Sequence, residues 1–299
     1  MVRLLVEDKD TYPPLAPVMN ALAGAGGALG AEVVRWHDSK PWPGGHLDAA
    51  LICNGWDRGR EKKHNTVLDR MANRPTFWVE NGWLTQATSF QLGPVGINGL
   101  ASWAREPLGL NGRHLLTVRK EGDVLIALQS DGDSNLWHPD LAPIFQTNKQ
   151  LLQHFASACP LPMRVRPHPR YPKCGAEALV DEHPLMTWDT SETFATALEG
   201  ARAVAMINST SGIEAIAAGL PLLTYGRNVY THHPGVVFQM TGLEACTTEV
   251  LSALWDGQLW SGLYRDLQLA MVNRILNRQW YEGQLPWRLA MELEWAGVG

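Results

Sequence analysis

Three short stretches of the 299-residue sequence combine residue types that can do chemistry. The first is Arg164-Val165-Arg166-Pro167-His168-Pro169-Arg170. Proline on both sides excludes helix and holds the backbone extended, so the His168 imidazole is presented from a fixed loop. Arg166 and Arg170 add permanent charge beside it, which suits a phosphate or pyrophosphate. The second is Asn208-Ser209-Thr210-Ser211-Gly212-Ile213-Glu214-Ala215, where an apolar strand runs into a hydroxyl-rich turn and then a helix. Backbone N–H groups and the side chains of Ser209, Thr210 and Ser211 could converge there on a phosphate, an anion site without a lysine. Read alone, Ser211 to Glu214 fits slightly better as a capping box in which Glu214 reaches back to the backbone. The third is Gln129-Ser130-Asp131-Gly132-Asp133-Ser134-Asn135. Two carboxylates on a glycine-containing turn can act as base, nucleophile or metal ligands, or can simply shape an Asp/Gly turn.

Other patterns fail on context. Asp131, Asp133 and Asn135 imitate the start of a calcium loop, but Leu136 stands where the glycine belongs and Ala142 where the final glutamate belongs. Gly24-Ala25-Gly26-Gly27-Ala28-Leu29-Gly30 follows a helix and precedes a strand, the wrong order for a dinucleotide fingerprint, and reads as a helix ending. His232-His233 lacks an acidic or cysteine partner at suitable spacing. Cys53, Cys159, Cys174 and Cys246 are scattered and are expected as reduced, mostly buried thiols. No metal site is expected.

The elements that must hold these stretches alternate. Strands are expected at 2–6, 32–36, 49–53, 76–80, 123–129, 163–166, 203–207 and 221–225, with helices at 15–22, 148–158, 191–198 and 213–218. Strand–helix alternation of this kind predicts parallel sheets with covering helices. A passage with no clear periodicity, 93–111, suits a connection between domains. The expected division is 1–112, 113–275 and a C-terminal helix over 276–299 that packs back on the first domain. Two such halves leave a cleft at the carboxyl ends of their strands, where ligands bind in open α/β sheets.

Composition narrows the partners. The formal charge is −5, so the chain has no general attraction for nucleic-acid phosphates. The opening Met1-Val2-Arg3-Leu4-Leu5-Val6-Glu7-Asp8 turns acidic too early for a secretory signal, and no apolar run is long enough to span a membrane. A cytoplasmic protein is expected. Thirteen tryptophans could stack on sugars, but core packing is the commoner role. Arginines and tryptophans over 267–295 fit either a packed helix or a surface that meets lipid-linked acceptor.

Taken together, the three stretches, Ala218-Gly219-Leu220-Pro221-Leu222-Leu223-Thr224-Tyr225-Gly226 and Glu80-Asn81-Gly82-Trp83-Leu84 resemble the capsule polysaccharide biosynthesis family, which includes the bacterial β-Kdo transferases. The resemblance covers about residues 78 to 230 in the family's order; Trp83 replaces the usual phenylalanine, and the first eighty residues match only loosely. It implies a GT-B fold of two Rossmann-like domains that face across a cleft. It also implies a glycosyltransferase that moves a keto-sugar acid, Kdo, from a CMP-sugar to a glycan or glycolipid acceptor, with retention and with no cofactor beyond the donor itself. In this reading His168, Arg166, Ser209, Thr210 and Ser211 hold the CMP part and Glu214 takes the ribose hydroxyls. Asp133 is the nucleophile or charge stabiliser, and Glu80 is the acceptor base. Peripheral contact with the inner membrane or with other polysaccharide-assembly proteins is compatible with it. Two alternatives stay open: a CDP-glycerol glycerophosphotransferase, which also uses His-Pro and Ser-Ser elements, and a non-catalytic nucleotide-sugar-binding subunit.

Overall fold

The computed structural model describes residues 1–8, 16–37, 39–53, 61–81, 89–93, 101–117, 119–137, 141, 143–240, 262–281 and 284–298. Along the chain run β1 (Arg3–Glu7), α1 (Ala16–Ala28), β2 (Glu32–Trp36), β3 (Ala49–Cys53), α2 (Glu61–Met71), β4 (Thr76–Asn81) and β5 (Ser89–Gly93). Then follow β6 (Asp123–Ala127), α3 (Ser134–Trp137), α4 (Asn148–Ala158), β7 (Met163–Arg166), α5 (Glu177–Glu182), β8 (Met186–Trp188) and α6 (Phe194–Glu199). The last group is β9 (Ala201–Met206), α7 (Gly212–Ala217), β10 (Leu222–Thr224), β11 (Phe238–Gln239), α8 (Arg265–Arg278), β12 (Trp280–Tyr281) and α9 (Leu285–Trp295). The chain divides into two compact units, Met1–Ser102 with Ile275–Gly299, and Trp103–Arg274.

The first unit carries a sheet of order β12-β5-β4-β3-β1-β2. β2, β1, β3 and β4 pair in parallel, and β5 pairs antiparallel with β4 and with β12. All five residues of β3 are buried, as a strand covered on both faces requires. The two-residue period then sorts side chains by face. Leu4, Val6, Leu51 and Phe77 meet Val18, Met19 and Leu22 of α1 and Leu289 and Leu293 of α9. Leu5, Ala50, Ile52 and Trp78 meet Val67 and Met71 of α2 on the other side. Gly30, at φ +78°, closes the turn after α1, so the glycine run is a helix ending. Within 276–299, expected as a C-terminal helix, lie the last three residues of α8, the two-residue β12 and then α9, with Pro286 in the first turn of α9, where a missing N–H costs nothing.

The second unit is a wholly parallel sheet of order β11-β10-β9-β6-β7-β8. Its core joins Val124, Ile126, Val165, Ala203, Ala205 and Leu223 of the strands to Leu151, Leu152 and Phe155 of α4. A capping box starts α4: the Thr147 hydroxyl accepts from the Gln150 backbone, and the Gln150 side chain accepts from the backbone of Thr147. β6 is central. The chain moves outward from it to β7 and β8, then returns to build β9, β10 and β11 on its other side. That reversal is the topological switch point at which open α/β sheets bind ligands.

Candidate active site

The three stretches leave the carboxyl ends of three neighbouring strands of the second unit. The Asp131–Asp133 turn follows β6, the His168 loop follows β7, and the hydroxyl turn follows β9. With strands about 4.8 Å apart, the outer two of these loops start only about 10 Å from each other. The strand expected to reach residue 129 stops at Ala127, so Gln129 begins the loop instead of ending the strand.

The His168 ring is fixed by a tight turn. The Tyr171 N–H donates to the His168 carbonyl at 3.1 Å, and the two rings stack with centroids 5.3 Å apart. The Arg170 backbone N–H donates to Nδ1 at 3.2 Å. Nδ1 is therefore the acceptor nitrogen, and the proton of the neutral ring sits on Nε2. Burial, seconded by the charge of Arg170, holds the His168 pKa below that of an ordinary histidine.

The hydroxyl turn differs from a capping box. Ser211 is the N-cap of α7 but makes no side-chain cap bond; its Oγ lies 2.9 Å from that of Ser209, whose Oγ also accepts from the Ser211 N–H at 3.3 Å. The amides of Gly212, Ile213 and Glu214 donate back to the carbonyls of Ser209, Thr210 and Ser211. An anion here would thus meet the side chains of Ser209, Thr210 and Ser211 rather than bare helix amides, which corrects one half of the expectation. The Tyr230 hydroxyl donates to the Ser209 carbonyl at 2.5 Å. A side chain on Gly212 would put its Cβ 2.6 Å from that hydroxyl, so only glycine allows this approach.

Arg166 is more committed than its sequence position suggests. It donates to the Asp189 carboxylate and, at 2.9 Å, to the Ser191 carbonyl. Asp189 also takes Arg164 at 3.0 Å and the Ser191 hydroxyl at 2.7 Å. Burial works against the Asp189 charge, yet the bonds from Ser191 and Arg166 hold its pKa below the usual carboxylate value. Burial pushes the Glu214 carboxyl up, and the nearby charge of Arg166 opposes the rise. Arg166 is thus bonded to Asp189 and Ser191, and its charge also acts on Glu214.

On the third loop the two aspartates separate in role. Asp131 accepts from the Asn148 N–H at 2.9 Å and so helps to start α4. Asp133 accepts from the Asn135 N–H at 2.9 Å and is partly exposed, as are His168, Ser209, Thr210, Ser211 and Glu214. Glu80 belongs to the first unit, near the carboxyl end of β4, and is partly buried. Gly82, Trp83 and Leu84, which complete its sequence element, lie outside the described residues, as does Cys246. Cys53, Cys159 and Cys174 are buried thiols that form no disulfide, and burial raises the Cys159 pKa to about 11.

The sequence reading overlooked the polar side chains that tie these loops together. Gln129, Asn135, Asn148, Asn208 and Asn228 are all buried. Gln129 Nε2 donates to Asn208 Oδ1 at 3.0 Å, and the Asn208 N–H donates to Gln129 Oε1 at 3.1 Å. The Asn148 side chain brackets the Gln129 backbone in the same way, at 3.1 and 2.6 Å. The signal that could have found Gln129 and Asn208 is a polar amide one or two positions past an apolar strand; Asn148 and Asn228 carry no such mark.

Residues 110–251 match the family described as Capsule polysaccharide biosynthesis protein. Two solved structures share the fold. One is Thermosulfurimonas dismutans KpsC, beta Kdo 2,7 transferase, at 13% identity and TM-score 0.58, covering 94% of this chain and 92% of that one. The other is Thermosulfurimonas dismutans KpsC, beta Kdo 2,4 transferase, at 14% identity and TM-score 0.57, covering 91% and 89%. No curated protein matches the sequence. The fold shared with the two solved structures is α/β: the sheet of the second unit is wholly parallel, and that of the first is parallel apart from β5 and β12. No helix among the described residues is long and apolar enough to cross a membrane.

Proposed function

Starting from a chain whose residues 110–251 carry the signature of the capsule polysaccharide biosynthesis family, we propose that it transfers Kdo, or a related keto-sugar acid, from a CMP-sugar to a glycan or glycolipid acceptor. The observation that carries this reading is the meeting of the His168 loop, the Ser209–Ser211 turn and the Asp133 turn at one sheet edge, on a switch point. The two solved Kdo transferases that share the fold support it.

In the proposed reaction the leaving group is CMP, whose phosphate gains charge as the bond to the anomeric carbon breaks. The Nε2–H of His168 and the hydroxyls of Ser209, Thr210 and Ser211 donate to that phosphate. Glu214 receives the ribose hydroxyls, and the charge of Arg166, already shared with Asp189, opposes the upward push of burial on its carboxyl. Asp133 attacks the anomeric carbon and forms a glycosyl ester as CMP departs. An acceptor hydroxyl then displaces Asp133 while Glu80 removes its proton. Two inversions give net retention. The chemistry is carried by side chains and the departing nucleotide, and contact with a membrane surface or with other assembly proteins remains part of the proposal.

The test is turnover of CMP-Kdo, CMP-sialic acid and CDP-glycerol offered separately, with product configuration read by NMR. Turnover of CMP-Kdo with retention is expected. Turnover of CDP-glycerol alone would make the chain a glycerophosphotransferase, and CMP binding without turnover of any donor would make it a binding subunit.

A further inference from the structure

One fully buried residue holds both ends of the loop that carries Asp133. Asn208, 0% exposed, bonds the Gln129 side chain at the start of that loop through its own N–H and Oδ1. Its Nδ2 donates to the Asn135 carbonyl at the far end of the loop, at 2.7 Å. Its carbonyl accepts from Asn228 Nδ2 at 2.6 Å. The backbone donor and acceptor and both atoms of the carboxamide head are thus all engaged. Asn208 is also the residue from which the Ser209–Ser211 turn departs.

From this geometry we propose that Asn208 is a positioning residue that sets the spacing between the Asp133 carboxylate and the phosphate-binding hydroxyls. The proposal rests on the donor-site reading above. The side chain must supply one donor and one acceptor from a short planar head. Aspartate keeps the acceptor for Gln129 but loses the donor to Asn135, while glutamine is one methylene too long. The hydrogen bonds that join Gln129, Asn208 and Asn135 form a polar ring beyond the last paired residues of β6 and β9, so the sheet is complete without it. What it adds is registry between two loops, and a buried polar ring is suited to fixing such a geometry.

The two sides of the ring make separable predictions. In Asn208→Asp the bond to Asn135 is lost while the backbone bonds that hold the hydroxyl turn persist. Donor kcat should fall about 100-fold, the loss expected for an ångström-scale misplacement, with donor KM unchanged. Amides 130–136 should exchange hydrogen at least about tenfold faster, while the α4 amides keep their protection. Asn228→Ala loosens the other side and should raise donor KM with little change in kcat. Gln129→Glu, which removes the donor to Asn208 Oδ1, should repeat the Asn208→Asp pattern and serves where that variant does not fold. Val180→Ala, a core change in α5, which packs on the edge strand β8, supplies the control at matched thermal midpoint. Parental kcat and parental loop exchange in Asn208→Asp would overturn the proposal, as would the same kcat loss in Val180→Ala. If the parent turns over no CMP-sugar, the donor reading fails, and loop exchange alone decides for or against the hold of Asn208 on the 129–135 loop.

Discussion

At the scale of single residues, the proposed chemistry needs His168 neutral with its proton on Nε2. The backbone bond to Nδ1 selects that tautomer, and burial keeps the ring neutral to lower pH than a free histidine. The sign follows directly: a histidine whose folded pKa is lowered loses stability for its fold as pH drops below about 6.5 toward the folded value. Protonating Nδ1 also breaks the bond from Arg170. Turnover should therefore decline on the acid side, at a pH below the ordinary histidine range, and His168→Gln should abolish that limb while leaving a low, flat rate. A parental acid limb that survives in His168→Gln would assign it to another group. Asp133→Ala should reduce transfer by at least about 1000-fold with CMP affinity retained, measured by calorimetry beside a turnover assay. At this scale the sequence was informative where chemistry and backbone restraint coincide, as at Pro167-His168-Pro169. It was silent on Asn148 and Asn228, because their partners lie 19 and 20 residues away and only the fold brings them together.

At the scale of elements, β3, buried throughout, was legible as an unbroken apolar run, and the bounds of β2, β7 and α4 also match those expected. β8, β11 and β12 were not, since two or three residues carry no period and their pairing depends on distant partners. The capping-box reading of Ser211 to Glu214 was a reasonable local expectation that tertiary contacts override. The Tyr230 hydroxyl and the Ser209–Ser211 hydroxyl pair shape the turn instead. Tyr230→Phe leaves the Ser209 carbonyl without that donor and should destabilise the second unit by about 1–3 kcal/mol, read as a lower urea midpoint. An unchanged midpoint would mean that the bond contributes nothing. Gly212→Ala forces a methyl against the same ring and should weaken CMP binding at least tenfold, on the order of 1.4 kcal/mol.

At the scale of the whole molecule, two units with separate cores predict two separable stabilities. Leu289 and Leu293 of α9, with Trp280 of β12, complete the core of the first unit from the far end of the chain. Leu289→Ala should cost that unit about 2–5 kcal/mol. Hydrogen exchange should quicken at β1 and β3 and not at β6 and β9; equal quickening in both would mean that the units unfold as one. The alternation of strands and helices made the two-sheet α/β architecture legible. The antiparallel β5 and the return of β12 to the first sheet were not, because neither is demanded by local pattern. The central claim is that the carboxyl edge of the second unit's sheet holds a cytidylate phosphate between an imidazole and a hydroxyl turn. A crystal structure of the protein with CMP tests this most directly. The phosphate should lie within about 3 Å of His168 Nε2 and of a hydroxyl among Ser209, Thr210 and Ser211. CMP bound at any other place, with neither group in contact, would contradict it.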